Sequence, residues 1–310
     1  MSCYNQYKAR TKVWGEVVPI PCGKCIGCRL EKARQWAVRC VHESQMYEDN
    51  CFITLTYNPA SLPKSRNVDK TVLQKFIKRL RKHVNSRRYH PPYQHQPYKE
   101  IRYYACGEYG EKRGRPHYHL LIFNFDFPDK KLFKGGKHPF HDGKWLKSND
   151  HPLYISAILS TLWPYGFSTI GEVTFDSAGY VARYVLKKIL GPLAEEYYKR
   201  DYMDQGDQII VPEFALMSRM PGIGLPWLKK YFTDVYPKDF FTLNGVKNKP
   251  PRYYDDQLKK LDPDLHVRIK QLRQETAKEE EIIRLKQKEN HKQLTAKQLQ
   301  RNMENETDNE

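Results

Sequence analysis

The chain has 310 residues, room for one large domain with appendages or two small ones. Its 53 Lys and Arg against 36 Asp and Glu give a formal net charge of +17, an excess that points to a polyanionic partner, nucleic acid first. No apolar run approaches the roughly 20 residues of a membrane span, and the opening MSCYNQYKARTKVW lacks the apolar core of a secretory signal, so the seven cysteines are expected as reduced thiols or metal ligands.

Residues 1–28 read as irregular and end in PCGKCIGC. Cys22, Cys25 and Cys28 have the C-x₂-C-x₂-C spacing that suits thiolate coordination of a structural Zn²⁺. A ferredoxin-type iron–sulfur run would need another cysteine at position 32, which is Lys. Cys3 or Cys40 would complete four ligands. Cys40 falls on the apolar face of a helix expected over 29–48, so Cys3 is preferred. The plain alternative is three free thiols in a Gly-rich turn.

CFITLTY (51–57) is β-branched and aromatic and reads as a strand. DKTVLQKFIKRLRKHV (69–84) reads as a helix capped by Asp69, with Val72, Phe76, Ile77, Leu80 and Val84 as its buried stripe. Lys75, Lys78, Arg79 and Lys82 lie off that stripe, as a solvated face or a DNA-facing one. Lys78, Lys82 and Arg115 are carried as candidate DNA contacts. Pro-rich 86–99 reads as a loop. IRYYACGEYG and PHYHLLIFNF read as strands of a hairpin around EKRG. Residues 125–150 read as a loop-rich insertion, 152–163 as helical, 166–173 as a strand, and 176–190 as a helix opening on Asp176 or Ser177.

The order β-α-β-β-α-β predicts an α+β fold, an antiparallel sheet of ferredoxin-like or RNA-recognition-like topology with helices on one face. The expected organisation is a Cys-rich segment and helix (1–48), a core (49–192), an aromatic-rich extension of the core (193–262) and a charged helical to disordered tail (263–310). Aromatics are 13% of residues, and 22 tyrosines among so many cations suit base stacking beside phosphate contacts.

GRPHYHLLIF places His117 and His119 two apart, so on a strand both imidazoles share a face. If EKRG is a four-residue loop, Gly110 pairs with Arg115 and Glu108 falls opposite His117. Two imidazoles and a carboxylate with open positions suit Zn²⁺, Mn²⁺ or Mg²⁺ acting on an oxygen substrate. Helix 176–190 is amphipathic: Tyr180 and Tyr184 sit one turn apart on its basic face, away from the sheet, flanked by Arg183, Lys187 and Lys188. A phenol among cations can stack a base or attack a phosphate. Arg183 and Lys188 are further candidate DNA contacts.

FITLTY, GRPHYHLLIF and YVARYVLKK, in that order, resemble the three motifs of HUH endonucleases, the rolling-circle replication initiators. With PCGKCIGCRLEKARQWAVRC, CGEYGEKRGRPHYH and PPRYYD, the likeness is to initiators of small single-stranded DNA phages, the gokushovirus-type microviruses. The resemblance covers most of residues 1–256. It implies that His117 and His119, with Glu108 as the acidic third ligand, hold Mg²⁺ or Mn²⁺. It implies that Tyr180 and Tyr184 are paired nucleophiles forming 5′-phosphotyrosine links, with Lys187 orienting the phosphate or favouring the phenolate. Arg183 stands where relatives often have lysine, and its fixed charge argues against proton transfer there. The expected partner is single-stranded and supercoiled origin DNA in the cytoplasm of an infected bacterium. No G-x-x-x-x-G-K-[ST] motif occurs, so a host helicase, with a host DNA polymerase, is expected to supply the rest. A non-enzymatic single-strand-binding protein with a zinc knuckle is the competing reading.

Overall fold

The computed structural model describes residues 3–10, 17–86, 98–110, 114–134, 152–187, 199–202, 206–275 and 285–295. The chain divides into two units, one of residues 36–235 and one combining 1–35 with 236–310.

In the unit 36–235, the β-branched run near residue 50 becomes β3 (Asn50–Tyr57), preceded in the chain by β1 (Tyr7–Arg10), β2 (Val17–Ile20) and α1 (Ile26–Ser44). Then follow α2 (Lys70–Ser86), β4 (Arg102–Tyr109), β5 (Pro116–Phe123), β6 (Lys131–Lys134), β7 (Leu153–Ile155), α3 (Ala157–Leu162), β8 (Gly166–Gly171) and α4 (Phe175–Lys187). After these come β9 (Lys199–Tyr202), β10 (Gly206–Ile209) and β11 (Phe214–Met217). β9 and β10 pair as a separate two-stranded ladder. The main sheet has seven antiparallel strands in the order β11-β4-β5-β3-β8-β7-β6. Its centre, β4-β5-β3-β8, is the expected split β-α-β topology.

Side-chain alternation gives this sheet two apolar faces. Ile53, Leu55, Leu120 and Ile122 meet Leu73, Phe76, Ile77 and Leu80 of α2 and Leu159, Leu162 and Trp163 around α3. These are the expected helices on one face. The opposite face is also covered at one end: Tyr104, Leu121 and Phe123 pack on Ala37 and Cys40 of α1 and on Ala178 and Val181 of α4. Inner strands apolar on both sides need such cover, so the antiparallel sheet is not left half-solvated.

Three local expectations change. The insertion after 125 contributes β6, which pairs with β7 and widens the sheet; its residues 135–150 lie outside the described part. The stretch 152–163 is a strand and then a helix. Helix α4 starts before Asp176, because Thr174 and Ser177 cap each other, Ser177 N–H donating to Thr174 Oγ1 at 3.1 Å and Thr174 N–H to Ser177 Oγ at 2.8 Å. Asp69 caps α2 as expected, accepting from Thr71 N–H at 2.7 Å.

Many tyrosines serve the core rather than DNA. Tyr57, Tyr104, Tyr109 and Tyr118 are buried. Tyr118 Oη accepts from Asp69 N–H at 2.9 Å, and Tyr109 Oη donates to the Val211 carbonyl at 2.7 Å. Arg102 and Glu43 form a buried ion pair, with Arg102 also donating to the Pro221 carbonyl at 2.6 Å and Glu43 accepting from Gly224 N–H at 2.6 Å.

In the other unit, β1 and β2 form a hairpin, as do β12 (Phe241–Leu243) and β13 (Val246–Asn248). Helices follow at Arg252–Leu261 and Pro263–Glu275, and 285–295 is helical. Arg273 joins them to Asp239 at 2.7 Å and Asp255 at 2.8 Å. The acidic terminus and most of the Pro-rich 86–99 segment lie outside the described residues. No described helix is long and apolar enough to cross a membrane.

Candidate active site

The hairpin sets the site's register. Gly110 N–H donates to the Arg115 carbonyl at 2.9 Å, and Glu108 lies opposite His117, as the four-residue loop requires. The row continues across the sheet from His117 to Thr56 and on to Phe167. The next row runs Cys106, His119, Thr54, Thr169. All these residues point to the face that α4 covers at its other end, and here the face turns polar.

Two threonines orient the imidazoles. Thr56 Oγ1 pairs with His117 Nδ1 at 2.9 Å, and Thr54 Oγ1 with His119 Nδ1 at 3.1 Å. Each ring then offers Nε2. His119 Nε2 meets Glu108 Oε1 at 2.7 Å, and both residues are buried. Glu108 therefore serves the diagonal histidine, although His117 is its direct strand partner. Gly110 is required beside them: a Cβ there would lie 2.8 Å from His117 Nε2. Two oriented imidazoles and a carboxylate are a donor set that fits a divalent ion. They are not gathered as tightly as the four thiols of Cys3, Cys22, Cys25 and Cys28, which alone among the described residues form a group within 4.8 Å of one another.

Tyr180 approaches from α4. Its ring stands edge-on to His119 with centroids 5.1 Å apart, and edge-on to Phe52 at 6.2 Å. Phe52 in turn stacks on His119 at 5.9 Å. The phenol thus packs half-buried against the sheet, which corrects its expected place away from it. The cause is the packing of Ala178 and Val181 into the second apolar face, which rolls Tyr180 towards the histidine row. The side chains of Tyr184 and Lys187, and all of Lys188, fall outside the described residues.

The candidate DNA contacts do not all converge. Arg183 is half-buried, its Nη1 near Gly179. Arg115 is half-buried at the start of β5. Lys78 and Lys82 are exposed, but α2 packs on the sheet face opposite the histidines, so they do not share the site. Arg79, on the same helix, donates to the Leu162 carbonyl at 3.1 Å and is structural. Sequence reasoning missed Thr54, Thr56 and Phe52, although strand alternation from FITLTY would have placed all three on the histidine face. It also missed Phe167, an aromatic 67% exposed on that face.

The family model of replication-associated protein ORF2 matches residues 50–189, the span from β3 through α4. Replication-associated protein VP4 of Bdellovibrio phage phiMH2K is 34% identical over 278 residues, 85% of this chain and 79% of that protein. The chain belongs to this family of phage replication-associated proteins. Among other members, ORF2 of Spiroplasma virus 4 is 34% identical over 78% of this chain and 68% of its own length. ORF4 of Chlamydia phage 1 is 29% identical over 78% of this chain and 54% of its own length. No solved structure matches the chain.

Proposed function

We propose that this chain is a metal-dependent DNA nicking and joining enzyme that initiates and terminates rolling-circle replication of a circular single-stranded DNA phage genome. The observation that carries this reading is the Tyr180 ring 5.1 Å from His119, itself hydrogen-bonded to Glu108. A stacking tyrosine has no need of an imidazole–carboxylate pair at its edge.

Glu108, His117 and His119 would hold Mg²⁺ or Mn²⁺, which when bound polarises the scissile phosphate and offsets its charge. Thr54 and Thr56 keep the two rings in orientation. The phenol oxygen of Tyr180 or Tyr184 attacks phosphorus. An O–P bond to tyrosine forms, the P–O3′ bond breaks, and the phenol proton ends on the released 3′ oxygen. One phosphodiester replaces another, so the 5′-phosphotyrosine link retains the energy needed for rejoining, and no nucleotide hydrolysis is required. The second tyrosine can attack the regenerated origin, and the 3′-OH then released closes the circle through the first link. Lys187 and Arg183, on the same helix, supply positive charge for the phosphate. Phe167, exposed along the His117 row, offers a ring on which a neighbouring base stacks. The reaction takes place in the cytoplasm of the infected bacterium, with unwinding and synthesis supplied by host helicase and polymerase.

The test is incubation of the full chain with end-labelled single-stranded origin DNA and Mn²⁺, followed by denaturing electrophoresis. Wild type should form a covalent adduct. Tyr180→Phe and Tyr184→Phe should each retain a half-reaction, and the double variant none. An adduct from the double variant would refute the nucleophiles. DNA binding without any adduct from wild type, under any divalent ion, would leave a non-enzymatic binding protein.

A further inference from the structure

We propose that Cys3, Cys22, Cys25 and Cys28 form a closed thiolate site for one Zn²⁺ ion, separate in the sequence and in role from the His–Tyr chemistry. The four sulfurs lie within 4.8 Å of one another, and Cys3 Sγ and Cys25 Sγ are 3.9 Å apart. A tetrahedral ion with Zn–S bonds of about 2.3 Å separates its sulfurs by roughly 3.8 Å. A disulfide would bring a pair to about 2.05 Å. An iron–sulfur cluster places its own irons and sulfides between the thiolates and spreads them further. The spacing therefore suits a single ion.

The local backbone is arranged for sulfur anions. Cys22 N–H donates to Cys3 Sγ at 3.1 Å, Cys25 N–H to Cys22 Sγ at 3.3 Å and Tyr4 N–H to Cys25 Sγ at 3.5 Å. Gly23 adopts φ of 73°, a left-handed turn that costs glycine little and lets CGKC fold back on itself. The Cys25 carbonyl accepts from Arg29 N–H at 3.0 Å, so α1 begins here and carries Cys28 in its first turn. Cys3 arrives from the far end of the β1–β2 hairpin. Cys3 and Cys25 are buried, with 1% and 9% of their surface exposed. Cys40, the other candidate ligand, is buried in a different cluster with Tyr104 and Cys106.

Four soft thiolates fill the coordination shell, which leaves no position for substrate and marks the site as structural. Its role is to pin the hairpin of four-residue strands to the start of α1. Such short strands do not hold a hairpin alone in water, and metal binding then contributes directly to folding.

The test begins with the full chain expressed in zinc-supplemented medium, gel-filtered and analysed for metals. The expected result is about one zinc per chain, in accord with a four-thiolate site. A mercurial titration of native wild type should release that zinc as four thiols react. Co²⁺ substitution should give thiolate-to-cobalt charge transfer with tetrahedral visible bands. His117→Ala/His119→Ala should keep the zinc, and Cys22→Ser/Cys25→Ser should lose it. Three results would overturn the proposal: wild type without zinc and with freely reacting thiols, zinc kept by the double serine variant, or iron with acid-labile sulfide in place of zinc. The titration and cobalt spectra use wild type, so a serine variant that fails to fold leaves the proposal open to refutation.

Discussion

The chain assembles two sets of potential metal donors in different ways. The four thiols converge within 4.8 Å through a tight turn, a helix start and a hairpin, with backbone N–H groups donating to the sulfurs. The two histidines and Glu108 stand on two rigid strands, their rings set by threonines, with room for Tyr180 at the edge. A closed set suits stability; an open set held by strands suits chemistry on a substrate that must enter and leave. The backbone closes the first. Side chains orient the second.

Substitutions should separate the two, and the largest effect belongs to the histidines. His119→Ala removes the ring that touches both Glu108 and Tyr180, and should lower adduct formation about 1,000-fold or more, some 4 kcal/mol of transition-state stabilisation. Single-turnover cleavage against zinc content checks this: cleavage should collapse while zinc stays. Gly110→Ala should follow, because its Cβ would sit 2.8 Å from His117 Nε2 and force that ring to shift. A loss of about 10–100-fold in cleavage is expected, with unfolding temperature nearly unchanged. Thr56→Val, which keeps shape but not the hydroxyl, should cost about 10-fold and raise the Mn²⁺ concentration needed for half-maximal cleavage, whereas Thr56→Ser should restore most of it. Phe167→Ala should be mildest, weakening single-strand binding by about 1–2 kcal/mol in an equilibrium titration without changing the metal requirement. Equal losses from Phe167→Ala on duplex and single-stranded DNA would count against stacking.

A third histidine gives a control for pH. His42 is buried and stacked on Trp227 with centroids 3.5 Å apart, and burial pushes its pKa down to about 3. The unfolded chain binds the proton from about pH 6.5 downward. The stabilisation from neutral His42 is therefore full above pH 6.5 and is lost as pH falls towards 3, at roughly 1.4 kcal/mol per pH unit at most. His42→Phe should flatten that acid limb in chemical denaturation. It should leave the pH profile of cleavage to the histidine pair.

Much of this site was legible because strand arithmetic is rigid. A four-residue loop fixed Gly110 against Arg115, and everything from Glu108 to His119 followed. The choice of His119 over His117 as Glu108's hydrogen-bond partner was not legible, since it depends on side-chain torsions rather than register. Nor was the second covered face: the apolar positions of α1 were visible, but periodicity does not say which surface they meet. Composition misled on the tyrosines, because a count does not separate Tyr118, buried with its hydroxyl held by Asp69, from Tyr180 beside His119. The threonines were overlooked because they read as ordinary strand residues until a histidine lies opposite each.

Thr56 has a consequence that reaches through the sheet. Its hydroxyl meets His117 on one side, while its carbonyl accepts from the Trp163 indole at 3.2 Å, a ring seated in the core beneath α2. Gly166 presses on the same carbonyl, where a Cβ would come within 2.4 Å. A single residue thus relays the far core to the reactive face. Repacking around Trp163, far from any DNA, should be felt as a change in how firmly His117 is aimed.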